Sequence, residues 1–98
     1  MHVLHADTTA FHRLLELAHH FELPEGRAIA DLFLAWWHSG TFGPFNLQRL
    51  NAFDAGLRYA VIDFLTVVED GVTPAELGVL TDLEVIAGRR AAARTVLH

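Results

Sequence analysis

Between residues 27 and 39 the chain sets Ala28, Ile29, Leu32, Phe33, Ala35, Trp36 and Trp37 around most of a helical wheel. Arg27, Asp31 and His38 are left on a polar stripe only about 40° wide. A helix that is apolar nearly all round must be covered on every side, so other helices have to pack around it. The densest apolar stretch, residues 32–37, is bounded by Asp31 and His38 and falls far short of the ~20 residues a membrane span requires. Gly40 suits the position just past a helix end. The pattern therefore predicts a buried central helix over about 27–39.

The neighbouring segments share the same three-and-four spacing, with no sustained alternation of the strand kind. After Asp7-Thr8-Thr9, any of which can cap a first turn, Phe11, Leu14, Leu15, Leu17, Ala18 and Phe21 share one arc, and His12, Arg13, Glu16, His19 and His20 fill the other. Pro24 and Gly26 read as the close of that helix. Residues 40–46 form a Gly/Pro loop, Asn46 caps a short helix over 47–52, and Asp54 or Asn51 opens a longer one that stops at Asp70-Gly71. Thr73-Pro74-Ala75-Glu76 has the reciprocal cap pattern with Pro at the first helical position, in a turn ending near Gly78. Thr81-Asp82-Leu83-Glu84 repeats that pattern and opens a last helix to about Val96. The expected fold is all-α: a compact orthogonal bundle of five or six helices in a single domain over 1–98, without a sheet.

Composition narrows the function classes. Hydrophobic residues make up 52% and charged residues 19% of the 98, enough apolar surface to offset the entropy of folding. No Cys is present, which excludes a disulfide scaffold or a thiolate zinc site. The seven basic residues are all Arg, so Schiff-base and Ser–Lys chemistry are absent along with thiol chemistry. Ser39 stands at a helix C-terminus, the wrong end of the dipole to stabilise an oxyanion. The net charge of −5 speaks against direct nucleic-acid binding. Met1 to Asp7 has no basic stretch and no long apolar run, so no export signal is expected and the expected location is cytoplasmic.

The run Ala30-Asp31-Leu32-Phe33-Leu34-Ala35-Trp36-Trp37 resembles a family of small helical proteins of unknown function found in proteobacteria, often on plasmids and other mobile elements. The similarity extends to Phe11-His12-Arg13-Leu14-Leu15, the loop from Gly43 to Phe45, and Pro74, and fades after residue 79. The resemblance implies a genomic neighbourhood and carries no catalytic residues with it.

Four side chains are candidate metal ligands, since His12, Glu16, His19 and His20 lie at spacings of four, seven and eight. A solvated polar face is the plainer reading, because no ligand motif accompanies them. Arg27 and Asp31, four apart, read as an ordinary helical ion pair. Charge is distributed unevenly: residues 54–84 hold Asp54, Asp63, Glu69, Asp70, Glu76, Asp82 and Glu84 against Arg58 alone, a local balance of −6, whereas Arg89, Arg90 and Arg94 make residues 85–98 basic. Three of those acids sit where helix starts favour carboxylates anyway. An acidic surface can also meet the basic channel of a nucleic-acid-handling protein. Phe42 and Phe45, beside the Gly/Pro loop, are candidate apolar anchors for a partner.

The expectation is a non-enzymatic, cofactor-free accessory protein that binds a protein partner through the acidic face and the Phe42/Phe45 loop. Its concrete form is a mobile-element or phage protein that occludes a host nucleic-acid-handling complex, as an anti-CRISPR-type inhibitor does. A homo-oligomeric adaptor and a His-rich metal-binding protein are the alternatives.

Overall fold

The computed structural model describes residues 8–96, and the cap candidate Asp7 lies outside them. Four α-helices, α1 (Thr8–Ala18), α2 (Pro24–Phe42), α3 (Ala55–Glu69) and α4 (Leu80–Val96), are joined by turns and one 3-10 helix, Leu47–Ala52. No strand occurs among the described residues. The radius of gyration, 13.1 Å, is that of a folded chain of this length. The all-α bundle around a buried central helix is therefore the observed architecture, with five helices among the described residues.

The core forms where the apolar arcs of the helices meet. Phe11 and Leu14 of α1, Ile29, Phe33 and Leu34 of α2, Val61 and Phe64 of α3, and Leu83 and Ile86 of α4 are all buried. Phe33 and Phe64 lie 4.9 Å apart between ring centroids, Phe11 stacks on Phe33 at 5.7 Å, and Trp36 meets Phe64 edge-on at 5.0 Å. Offset and edge-to-face pairs of this kind each add ~0.5–1.5 kcal/mol beyond burial.

The boundaries of the first two helices differ from the sequence expectation. α1 ends at Ala18, and Pro24 and Gly26 belong to the start of α2. Pro tolerates a first helical turn because its missing N–H would have no helical acceptor there. Gly26 is required for a separate reason: a Cβ there would meet the His20 carbonyl oxygen at 2.0 Å and that of Leu17 at 2.7 Å. The start of α2 crosses the end of α1 backbone against backbone. At its other end α2 runs past Gly40 to Phe42, interrupted at His38, whose φ of −147° and ψ of 78° are not helical. Gly43, at φ 88°, ends it instead, donating to the Ser39 carbonyl at 2.8 Å.

The later caps form as the residues predict. Asn46 accepts from the Gln48 amide at 2.9 Å and Asp54 from the Leu57 amide at 2.8 Å. Gly71, at φ 80°, closes α3: its amide bonds the Val68 carbonyl, and the Val72 amide reaches back to that of Val67, satisfying two of the orphan carbonyls. In the Thr73–Glu76 box the Thr73 amide donates to Glu76 Oε1 at 3.1 Å and the Glu76 amide to Thr73 Oγ1 at 3.3 Å. It nucleates a single turn that ends at Gly78. The second box does not form, because α4 already begins at Leu80 and Thr81 lies within its first turn.

Candidate functional site

The Ala-Asp-x-x-Leu-Ala-Trp-Trp segment lies on α2, and Asp31 and Trp36 reach other elements from it. Asp31 accepts from Arg49 Nη1 at 2.7 Å, from the 3-10 helix, and pairs with Arg90 Nε at 3.1 Å, from α4. The Arg27–Asp31 pair read from the spacing is not made, and Arg27 donates to the Phe21 carbonyl at 2.6 Å. The two guanidinium groups then lie over aromatic rings, Arg49 over Phe45 at 5.5 Å and Arg90 over Phe42 at 5.6 Å. Phe42 stacks on Trp37 at 6.0 Å, and its carbonyl accepts from Arg90 Nη2 at 3.3 Å. Trp36 donates from Nε1 to the Val72 carbonyl at 3.2 Å, tying α2 to the turn after α3.

This cluster fastens three pieces of chain to α2: the 3-10 helix, α4 and the turn after α3. Each Asp31 oxygen already faces one guanidinium, and the Arg90 side chain is only 14% exposed. Charge-assisted hydrogen bonds to the flat guanidinium fork fix direction as well as distance. His38 is exposed at the kink with its ring 4.8 Å from Trp37, while Asp31 turns to the arginines, so the two do not form a catalytic pair. Phe42 and Phe45 are half-buried beneath their arginines and pack against the core, and Phe53 lies within it. Linear spacing gives no sign of Arg49 or Arg90 as partners of Asp31, because both come from other elements.

The histidine face is divided by the early end of α1. His12 and Glu16 remain exposed on the helix, whereas His19 and His20 fall in the turn after it. His19 Nε2 lies 3.0 Å from Asp82 Oδ1, and Arg89 donates to the His19 carbonyl, so this turn is fastened to α4. His20 Nδ1 lies 2.8 Å from Glu22 Oε1. Glu22's own backbone amide and the His20 ring hold that carboxyl below the usual carboxylate range. The four proposed ligands are therefore not brought together, and no group of three His, Cys, Asp or Glu among the described residues is placed to hold a metal. A shallow groove between α1 and its neighbours is lined by Arg13, Glu16, His20 and Glu25 with Leu17 and Leu57.

Of the seven acids in 54–84, six are exposed and Asp82 is half-buried against His19. Asp54 and Glu76 hold caps, and Asp63, Glu69, Asp70 and Glu84 stand on the surface of α3 and α4. Sequence reasoning missed the exposed apolar pair of α3, Tyr59 at 69% and Ile62 at 53% exposure. Their three-residue spacing, on the side of the helix away from Leu57, Val61 and Phe64, was the available signal.

No helix among the described residues is long and apolar enough to cross a membrane. No curated protein and no solved structure matches the chain. A family match covers residues 8–94 and continues past residue 79, where the resemblance read from the sequence had faded. With nearly its whole length matched, the chain belongs to DUF7673, a family of unknown function.

Proposed function

We propose that this protein acts by binding another protein, without catalysis, and that the acid-rich surface formed by α3, the turn over 74–78 and the start of α4 recognises a basic surface on that partner. The observation that carries the reading is the exposure of six of the seven carboxylates in a segment whose one internal cation is Arg58. The carboxylates of Asp63, Glu69, Asp70 and Glu84 make no cap hydrogen bond and no ion pair among the described residues, so their charge is available to steer an encounter. Such steering raises association rates and weakens with added salt. A host nucleic-acid-handling protein offers a basic channel of the matching chemistry, and occluding it gives the anti-CRISPR-type mode. The resemblance of the Ala30–Trp37 segment to proteins carried on mobile elements favours a host target of this kind.

The test is capture from a host lysate, read by mass spectrometry, with the natural chain and with a variant carrying Asp63→Lys, Glu69→Lys, Asp70→Lys and Glu84→Lys. Asp54, Glu76 and Asp82 are left in place because they hold the fold. The natural chain is expected to retain a partner with a basic surface in a salt-sensitive way, and the variant to lose it. Equal capture by both chains would overturn the reading.

A further inference from the structure

The helix α3 carries two distinct faces. Leu57, Ala60, Val61 and Phe64 point into the bundle and are buried. On the outer side Ala55, Tyr59, Ile62, Thr66 and Glu69 follow one another at alternating spacings of four and three, the repeat of a coiled-coil seam. Tyr59, at 69%, is the most exposed large apolar residue among those described, and Ile62 is 53% exposed. A shallow groove runs beside them, lined by Ala55, Arg58, Tyr59 and Ile62. An apolar pair this open on a well-formed helix favours a partner surface.

We propose that this face is the seam of a homodimer in which α3 of one protomer lies parallel to α3 of the other, with Tyr59 and Ile62 packed on their counterparts. Charge selects both the occupant and its direction. Arg58 immediately precedes Tyr59, and Asp63 immediately follows Ile62, so the two flank the seam on opposite sides, five positions apart. In a parallel two-stranded coil that is the offset at which a residue on one flank meets the opposite flank of the other helix. A twofold axis along the seam makes two symmetry-related Arg58–Asp63 pairs from one sequence. The antiparallel arrangement places each flank beside its own copy, Arg58 near Arg58 and Asp63 near Asp63, which repels. Glu69 occupies the last seam position, where two carboxylates face each other, so the contact spans about two turns and the dimer is weak. The inference goes beyond the acidic-surface reading; it shares Asp63 and Glu69 with that surface, and Ile62→Glu, which leaves every acid in place, tests it separately.

Sedimentation equilibrium across a concentration series tests the proposal on the full chain. The mass is expected to rise above 10.9 kDa at high concentration. Ile62→Glu, a change at a surface position that leaves the monomer fold intact by circular dichroism, should abolish the rise. Glu69→Leu should lower the dissociation constant by tenfold or more, since it replaces a like-charge pair with an apolar one. Arg58→Glu and Asp63→Arg should each weaken the dimer about tenfold, and the two together should restore it. A chain monomeric at every concentration, a dimer indifferent to Ile62→Glu, or a charge swap that fails to restore association would each overturn the proposal.

Discussion

Gly26 of α2 and His20 after α1 are in backbone contact: a methyl group on the Gly26 α-carbon would stand 2.0 Å from the His20 carbonyl oxygen. A flexible side chain could swing aside, but a backbone carbonyl cannot without moving the turn that carries it. Gly26→Ala is therefore expected to destabilise the protein by about 2 kcal/mol or more, because overpacking exceeds the ~1 kcal/mol that Ala gains in helix propensity. Gly88→Ala is the control, since nothing lies within 4 Å of a Cβ there, and should raise stability by up to ~1 kcal/mol. Urea denaturation of the two variants gives the comparison, and equal effects would mean that the crossing is looser than described.

The Asp31 clamp makes a graded prediction. Asp31→Asn leaves two guanidinium groups without their carboxylate and should cost about 1–3 kcal/mol. Arg90→Lys keeps the charge but loses the fork and the flat contact with Phe42, and should cost more than Arg49→Lys. The Arg90 side chain is 14% exposed and that of Arg49 38%, so water compensates the second loss better. Denaturation midpoints should fall in that order.

Trp36 and Trp37 differ in what they hold. Trp36→Phe keeps an aromatic ring beside Phe33 and Phe64 but removes the donor to the Val72 carbonyl, at a cost of about 1 kcal/mol. Amide hydrogen exchange in the turn over 70–73 should quicken in this variant. Trp37→Phe, which loses no such bond, should leave that turn protected.

Glu22 provides a pH signature. Its folded-state carboxyl is held down by its own backbone amide and by His20, so as pH falls the unfolded chain takes up this proton first. The stabilisation is therefore present above the ordinary glutamate range and is lost as pH falls through the lowered folded-state value. Carbon-detected NMR titration should show Glu22 titrating below the ordinary glutamate value, and His20→Ala should move it part of the way back. Because the group is fully exposed, the effect on overall stability is small.

Several local signals match the structure, although the Thr81–Glu84 box and the Gly40 helix end do not. Asn46, Asp54, Gly71 and the Thr73–Glu76 box all act within three or four residues of themselves, where the chain alone holds donor and acceptor together. The buried arc of the central helix was legible for the same reason, since periodicity is a property of one helix. Pro24 and Gly26 were misplaced because Pro can follow a helix as well as open one and Gly favours the position past an end, and nothing in the chain announces a neighbouring backbone at 2.0 Å. The His12–His20 face failed when α1 stopped at Ala18, which turned His19 towards Asp82.

By itself, then, the sequence determined an all-helical chain with its caps, a central helix that must be covered, and a segment crowded with acids. Only the tertiary structure decided that Asp31 takes Arg49 and Arg90 in place of Arg27, and that Phe42 and Phe45 lie under arginines. Backbone hydrogen bonds and helix periodicity are short-range and follow from neighbouring residues. The choice of partner for a charged or aromatic side chain depends on which helices pack together, and packing is settled across the whole fold.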